Sequence, residues 1–227
     1  MFRFLDDLLT VIFAPNRFFA DISAKSWNEE PLTFTMICSW ILAIALTLVV
    51  LVNSYIPTGI NLISGVAGKK LFIVLPVLLV MGVAFFLMTL LIIAGILTIA
   101  LVSLALFCAA VLNFLFMLLG GSGNMMDVFK STLYSNAVIL AGLINIVLMV
   151  PVKFHLFPVG YWILGEKVIF LIALLYLFVL FAAAGAVTHK LSRWKAFLAS
   201  TVPFVVLLLA NMIFASKILP KLVGFLS

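Results

Sequence analysis

The side chains best suited to chemistry are few: the carboxylates Asp6, Asp7, Asp21, Glu29, Glu30, Asp127 and Glu166, the imidazoles of His155 and His189, and the thiols of Cys38 and Cys108. Carboxylates held at depth in a membrane would suit coupling to protons or sodium, and His, Cys and acids at ligand spacing would suit a metal. The seven acids all fall outside the long apolar runs or at their rims, which argues against carboxylate-coupled transport. His155 and His189 lie in separate loops with no ligand spacing to an acid or cysteine, and read as polar tips at a wet boundary. Both cysteines sit inside apolar runs, where a small buried hydrophobe is the ordinary role. There is no Gly-x-Ser-x-Gly elbow and no phosphate loop ending in Gly-Lys-Ser/Thr. The cluster Gly120-Gly121-Ser122-Gly123-Asn124 reads as a tight turn between helices, with an anion nest as the sharper alternative. The sequence thus offers no catalytic residue, no cofactor-binding set and no metal site, and the expectation is a protein that is not an enzyme.

The elements that position these residues follow from composition. Hydrophobic residues make up 67% and charged residues 9% of the 227 positions, with a mean hydropathy of +1.43. A soluble domain could not hide that much apolar surface, whereas a bilayer is itself an apolar solvent, provided each backbone amide bonds within its own helix. A membrane β-barrel would show short alternating strands; the runs here are continuous, so the predicted class is all-α, a polytopic transmembrane helical bundle. The opening residues carry Asp6 and Asp7 and no cleavage site, so the first span is expected to act as its own insertion signal. A net charge of +6 could suggest nucleic acid, but the Lys and Arg stand singly or in pairs at the ends of apolar runs, an interface pattern.

Residues 1–30 are predicted to form an interfacial amphipathic segment and 31–227 the transmembrane domain. Phe2, Leu5, Leu8, Leu9, Ile12 and Phe13 share one helical face, Pro15 interrupts, and Phe18, Phe19 and Ile22 continue on a second short helix leading to Trp27. Phe18, Phe19 and Trp27 would anchor at headgroup level, or the segment could bind a partner. The first span is expected over about 31–53, starting at Pro31, whose missing donor costs nothing in a first turn. Residues 55–70, with Pro57, Gly59, Gly65 and Gly68, read as a surface loop.

Residues 71–119 carry no charge and would span about 73 Å as one helix, more than twice a bilayer core of about 30 Å. One straight span is therefore not expected: Pro76, Gly82 and Gly95 offer bends for a hairpin or a broken, partly re-entrant piece, leaving five spans or six. Further spans are predicted over about 131–150, 168–188 and 196–216, with a loop at 151–167. Positive charge is nearly balanced between the two sides and does not fix orientation.

Inside the spans lie Asn113, Asn136, Asn145 and Asn211, with Thr98, Ser103 and Thr201. Such groups bond across helices at about 1 kcal/mol each; the alternative is that they line a polar route for a lipid headgroup or small solute. Ala182 to Ala186, around Gly185, has the small-xxx-small spacing of closely approaching helices.

The punctuation between the apolar runs resembles a known family. Pro15-x-x-Phe18-Phe19, Trp27 and Pro31 precede the first span; Gly120-Gly121, Phe129 and Tyr134-Ser135 enter the third; Lys195-Ala196 and Pro203 enter the last. This pattern is similar to the prokaryotic branch of the Yip family, the Ypt- or Rab-interacting membrane proteins called YIPF in animals. The resemblance implies five spans, a cytoplasmic amino terminus and assembly with other membrane proteins or with further copies; eukaryotic members are tied to Golgi and endoplasmic reticulum traffic. Asn136-Ala137 stands where many relatives place a proline, and the long amino-terminal region of eukaryotic members is missing, which counts against GTPase binding. The expected function is a scaffold or adaptor in a bacterial inner membrane, in contact with lipids and homo-oligomeric. A lipid transporter, scramblase or channel formed by an oligomer, with residues 71–119 at its path, is the alternative.

Overall fold

An apolar run whose amides must bond within the run becomes a helix, and the computed structural model, which describes residues 4–23, 29–64, 71–153, 158–213 and 216–217, contains only helical elements among them. In order these are α1 (Phe4–Phe13), α2 (Pro15–Ser23), α3 (Glu30–Val50), a widened π-type turn (Leu51–Tyr55), α4 (Ile56–Ser64), α5 (Leu71–Leu118), α6 (Met125–Ser135), a tightened 3-10 segment (Asn136–Ala141), α7 (Gly142–Lys153), α8 (Val159–Thr188) and α9 (Arg193–Ile213). Five helical stretches are long and apolar enough to cross a bilayer: Glu30–Ser64, Phe72–Leu118, Met125–Leu148, Trp162–Thr188 and Arg193–Ile213. The protein is an all-α polytopic bundle with five candidate spans.

Three expectations are corrected. Residues 71–118 form one uninterrupted 48-residue helix, not a hairpin or a broken piece. Pro76 is its sixth residue, so its missing N–H removes only a bond close to the start, and a Cβ at Gly82 or Gly95 would meet nothing within 4 Å, so neither glycine marks a turn or a close approach. The region read as a loop from residue 55 is helical as far as Ser64. Pro57 is tolerated because the widened turn, often found where a helix must shed a bond, ends two residues before it. Finally, the loop read at 151–167 shrinks: α7 runs to Lys153 and α8 starts at Val159.

α8 is the central helix, because its residues Leu180 to Gly185 are buried on all sides. One core cluster gathers Val11, Phe18, Phe19, Phe34, Cys38 and Tyr134 around Leu180 and Ala184; another gathers Cys108, Leu112, Phe116 and Val128 around Phe181 and Ala196. Between helices in lipid such clusters stabilise through close packing, not through removal of surface from water. Both clusters sit at the end of the bundle that carries the N-terminal hairpin. Toward the opposite end α3, the widened turn and α4 run antiparallel to α5, held by Ser39 Oγ to Thr98 Oγ1 at 2.6 Å and Tyr55 Oη to Thr89 Oγ1 at 2.6 Å. There the apolar side chains of α5 face outward, as lipid-facing residues do; Phe72 is 84% exposed.

Candidate functional site

Many of the motif residues singled out by the sequence lie at the hairpin end of the bundle. Pro15 opens α2, where a proline's fixed φ suits a helix start, and turns the chain back so that α2 packs on α6 and α8. Phe18 and Phe19 are buried against these helices instead of reaching lipid headgroups, because the ring of Tyr134 offers Phe18 an edge-to-face partner at 4.8 Å and 82°. Phe34 meets the other side of Tyr134 at 4.8 Å and touches Phe4 at 5.1 Å. The hydroxyl of Tyr176 on α8 donates to the carbonyl of Val11 at 3.3 Å and to that of Ile12, satisfying acceptors that the end of α1 leaves open. Leu5, Leu9 and Phe13 face away from the bundle. Pro31 is buried in the first turn of α3; Trp27 lies outside the described residues.

The glycine turn closes on His189. Gly120 has φ +89°, a left-handed conformation that glycine adopts freely. Gly121 donates to the carbonyl of Phe116 at 2.9 Å, and Ser122 donates to the carbonyl of His189 at 3.4 Å. Gly123 donates to Nδ1 of His189 at 3.1 Å. A Cβ at Gly123 would come within 2.2 Å of the Thr188 carbonyl oxygen, and one at Gly121 within 2.8 Å of the imidazole. His189 is therefore not a polar tip at a wet boundary: it is 1% exposed and lies 5.2 Å from the Phe116 ring. Burial pushes its imidazole below the usual histidine range, against a smaller upward pull from Asp127. Because Nδ1 accepts a hydrogen bond, the neutral tautomer carries its proton on Nε2. The turn thus acts as a lid of backbone over one imidazole, which the tight-turn reading accommodates and an anion nest does not require.

Two lysines cap helix ends here. Lys130, 3% exposed, places Nζ 2.7 Å from Asp127 Oδ1 and donates to the carbonyl of Ile22 at 3.3 Å. Lys195 donates to the carbonyl of Leu119 at 2.9 Å. Each cation meets the negative end of a helix, α2 or α5, where open carbonyls and the helix dipole favour it. Ala196 is buried in the neighbouring cluster with Phe129 packed against it, and Pro203 is buried inside α9. Gly185 leaves room for a ring: a Cβ there would lie 2.4 Å from Phe116 atoms. The small-residue stretch of α8 serves that contact within the fold.

Ser135 and the asparagines lead away from this end to the middle of the bundle. Thr35 Oγ1 donates to the carbonyl of Leu133 at 2.9 Å, and Asn136 Nδ2 donates to Thr35 Oγ1 at 3.4 Å. From residue 136 the chain tightens into the 3-10 segment, and beside it opens a cavity of about 380 Å³. Ser135, Asn136, Asn145, Asn211 and Glu166 line it, among apolar side chains from α3, α5, the 3-10 segment, α8 and α9. Oδ1 of Asn145 is shielded and unpaired, while its backbone carbonyl accepts from Trp162 Nε1 at 3.2 Å. Asn113 stands elsewhere, on α5, with Nδ2 3.5 Å from Met117 Sδ. Glu166 lies on α8, about one turn into the candidate span that opens at Trp162.

Lys130, His189, Phe34 and Glu166 complete these arrangements without having been singled out as site residues by the sequence. The i,i+3 spacing of Asp127 and Lys130 was the available signal for the first; nothing local marked the others. No group of three or more His, Cys, Asp or Glu that could hold a metal occurs among the described residues; His155 lies outside them.

No curated protein and no solved structure matches the chain. The family model described as the Yip1 domain matches residues 9–214, nearly the whole length, so this chain belongs to the Yip family of multi-pass membrane proteins.

Proposed function

We propose that the protein is a non-enzymatic scaffold of the Yip type in a bacterial cytoplasmic membrane, with its amino terminus cytoplasmic, acting through association of its helices with further copies or other membrane proteins. The observation that carries this reading is the docked N-terminal hairpin. One face of it is locked to the bundle through Phe18, Phe19 and the Tyr176 hydroxyl, and the other presents Leu5, Leu9 and Phe13 outward. An amphipathic cap fixed in this way gives a rigid apolar strip at headgroup level, the geometry of an interfacial helix. The test is energy transfer between donor- and acceptor-labelled copies in liposomes. Transfer above that of a random mixture, reduced in a Leu5→Ser, Leu9→Ser, Phe13→Ser triple variant, supports the reading; random-level transfer in the unaltered chain overturns it.

The cavity beside the third span gives specific support to a second reading, handling of lipid. Labelled lipid that changes leaflet in liposomes holding the protein, and not in empty ones, would favour it over the scaffold.

A further inference from the structure

The cleft of about 380 Å³ beside the third span has the size of an ordinary small-ligand site. Its lining explains why it does not collapse. The third span abandons α-helical winding over Asn136–Ala141, a departure seen inside membranes where backbone faces a cavity or protein instead of lipid, and most of that segment borders the space. α7 and α9 both pack on α8 without packing extensively on each other, so the space is open along one side, toward lipid.

The chemistry of the walls selects the occupant. Among the described lining residues Glu166 is the one acid, and no lysine, arginine or histidine joins it. An ionised carboxylate only accepts hydrogen bonds, and Oδ1 of Asn145, shielded and without a partner, becomes a second acceptor when its amide turns toward the space. A buried amide oxygen left unpaired is destabilising, and an incoming donor removes that cost. A primary ammonium supplies three donors and one positive charge. The amide N–H groups of Asn211 and Asn136 remain to donate to ester or phosphate oxygens, and the aliphatic walls suit an acyl chain. We infer that this cavity is a binding site for a phospholipid with a primary ammonium headgroup, drawn from the surrounding bilayer, with Glu166 and Asn145 receiving the ammonium. A quaternary headgroup has the charge without the N–H donors, and a glycerol headgroup has hydroxyl donors without the charge.

The inference requires binding and not movement, so it is independent of both functional readings. Its test is native mass spectrometry of the full chain, stripped of lipid in mild detergent and titrated separately with phosphatidylethanolamine, phosphatidylcholine and phosphatidylglycerol. One phosphatidylethanolamine should be retained about tenfold more tightly than either other lipid, the scale of a charged hydrogen bond. Glu166→Gln and Asn145→Leu should each bring the three lipids to within about threefold of one another, since each removes one acceptor of the ammonium. Equal retention of all three by the unaltered chain overturns the inference, and because that comparison needs no variant it decides even where a variant does not fold. A headgroup preference that persists in folded Glu166→Gln also overturns it. Selective binding without lipid flip in liposomes supports the site and removes transport.

Discussion

Gly123 donates its backbone N–H to Nδ1 of His189 at 3.1 Å, across a gap that no side chain could share. The contact joins the turn between α5 and α6 to the turn between α8 and α9, so two loops far apart in sequence fold as one unit.

Replacing Gly123 with alanine should therefore lower the stability of the fold by about 2–4 kcal/mol, since the new methyl meets a backbone carbonyl that cannot rotate away. Gly121→Val should act similarly. Gly82→Ala and Gly95→Ala, in open helical positions, should be neutral or stabilising by up to about 1 kcal/mol. Thermal unfolding in detergent, followed by labelling of the buried thiols Cys38 and Cys108, reads all four; equal melting of Gly123→Ala and the unaltered chain would remove this account of the turn.

The hydrogen bond also fixes a pH dependence. An imidazolium would aim a second donor at the Gly123 N–H, and burial already holds the folded value below the ordinary one near 6.5. Between those two values the unfolded chain binds more protons than the folded chain, so stability should be complete above the ordinary value and fall as pH drops through this window. His189→Asn, which keeps an acceptor near the same place, should flatten the melting temperature between pH 7 and pH 5. An unchanged slope would assign the effect to other groups.

Tyr134 stands between Phe18 and Phe34, so Tyr134→Ala should cost about 3–5 kcal/mol through the cavity it leaves, whereas Tyr134→Phe should cost little. Limited proteolysis should cut the N-terminal hairpin faster in the alanine variant. Equal cutting rates would mean that the hairpin is held elsewhere.

Lys130→Ala should destabilise more than Lys130→Met. Both strand the Asp127 carboxylate and the Ile22 carbonyl, but methionine keeps the apolar stem in place. The melting temperatures of the two variants, ranked against each other, test whether packing contributes beside charge.

The helical class was legible because continuous apolar runs have one solution in lipid, and the turn at Gly120 because consecutive glycines have few other uses; the span number was narrowed only to five or six, since nothing local showed that residues 71–118 stay in one helix. What stayed hidden was non-local. The pattern of Leu5, Phe18 and Phe19 announces an amphipathic segment, yet only the placement of Tyr134 decides that Phe18 points into protein while Leu5 points out. Pro57 and Pro76 read as breaks because their helix penalty is counted for an isolated segment; a widened turn and a position near a helix start remove most of it. His189 looked like any loop histidine, since burial comes from a turn 66 residues away. The asparagines were visible one by one, but their spacing in sequence gives no hint that Asn136, Asn145 and Asn211 border one space while Asn113 does not.

The 48 uncharged residues of α5, about 72 Å long at 1.5 Å per residue, have a consequence for the membrane itself. Even leaning at 40°, the upper end of observed tilts, such a rod would rise about 55 Å, beyond a bilayer of about 40–45 Å with its headgroups. The mismatch cannot be absorbed by leaning alone. Either the lipids beside α5 thicken or one end of the rod stands clear of the hydrocarbon core, and a thicker membrane reduces both costs.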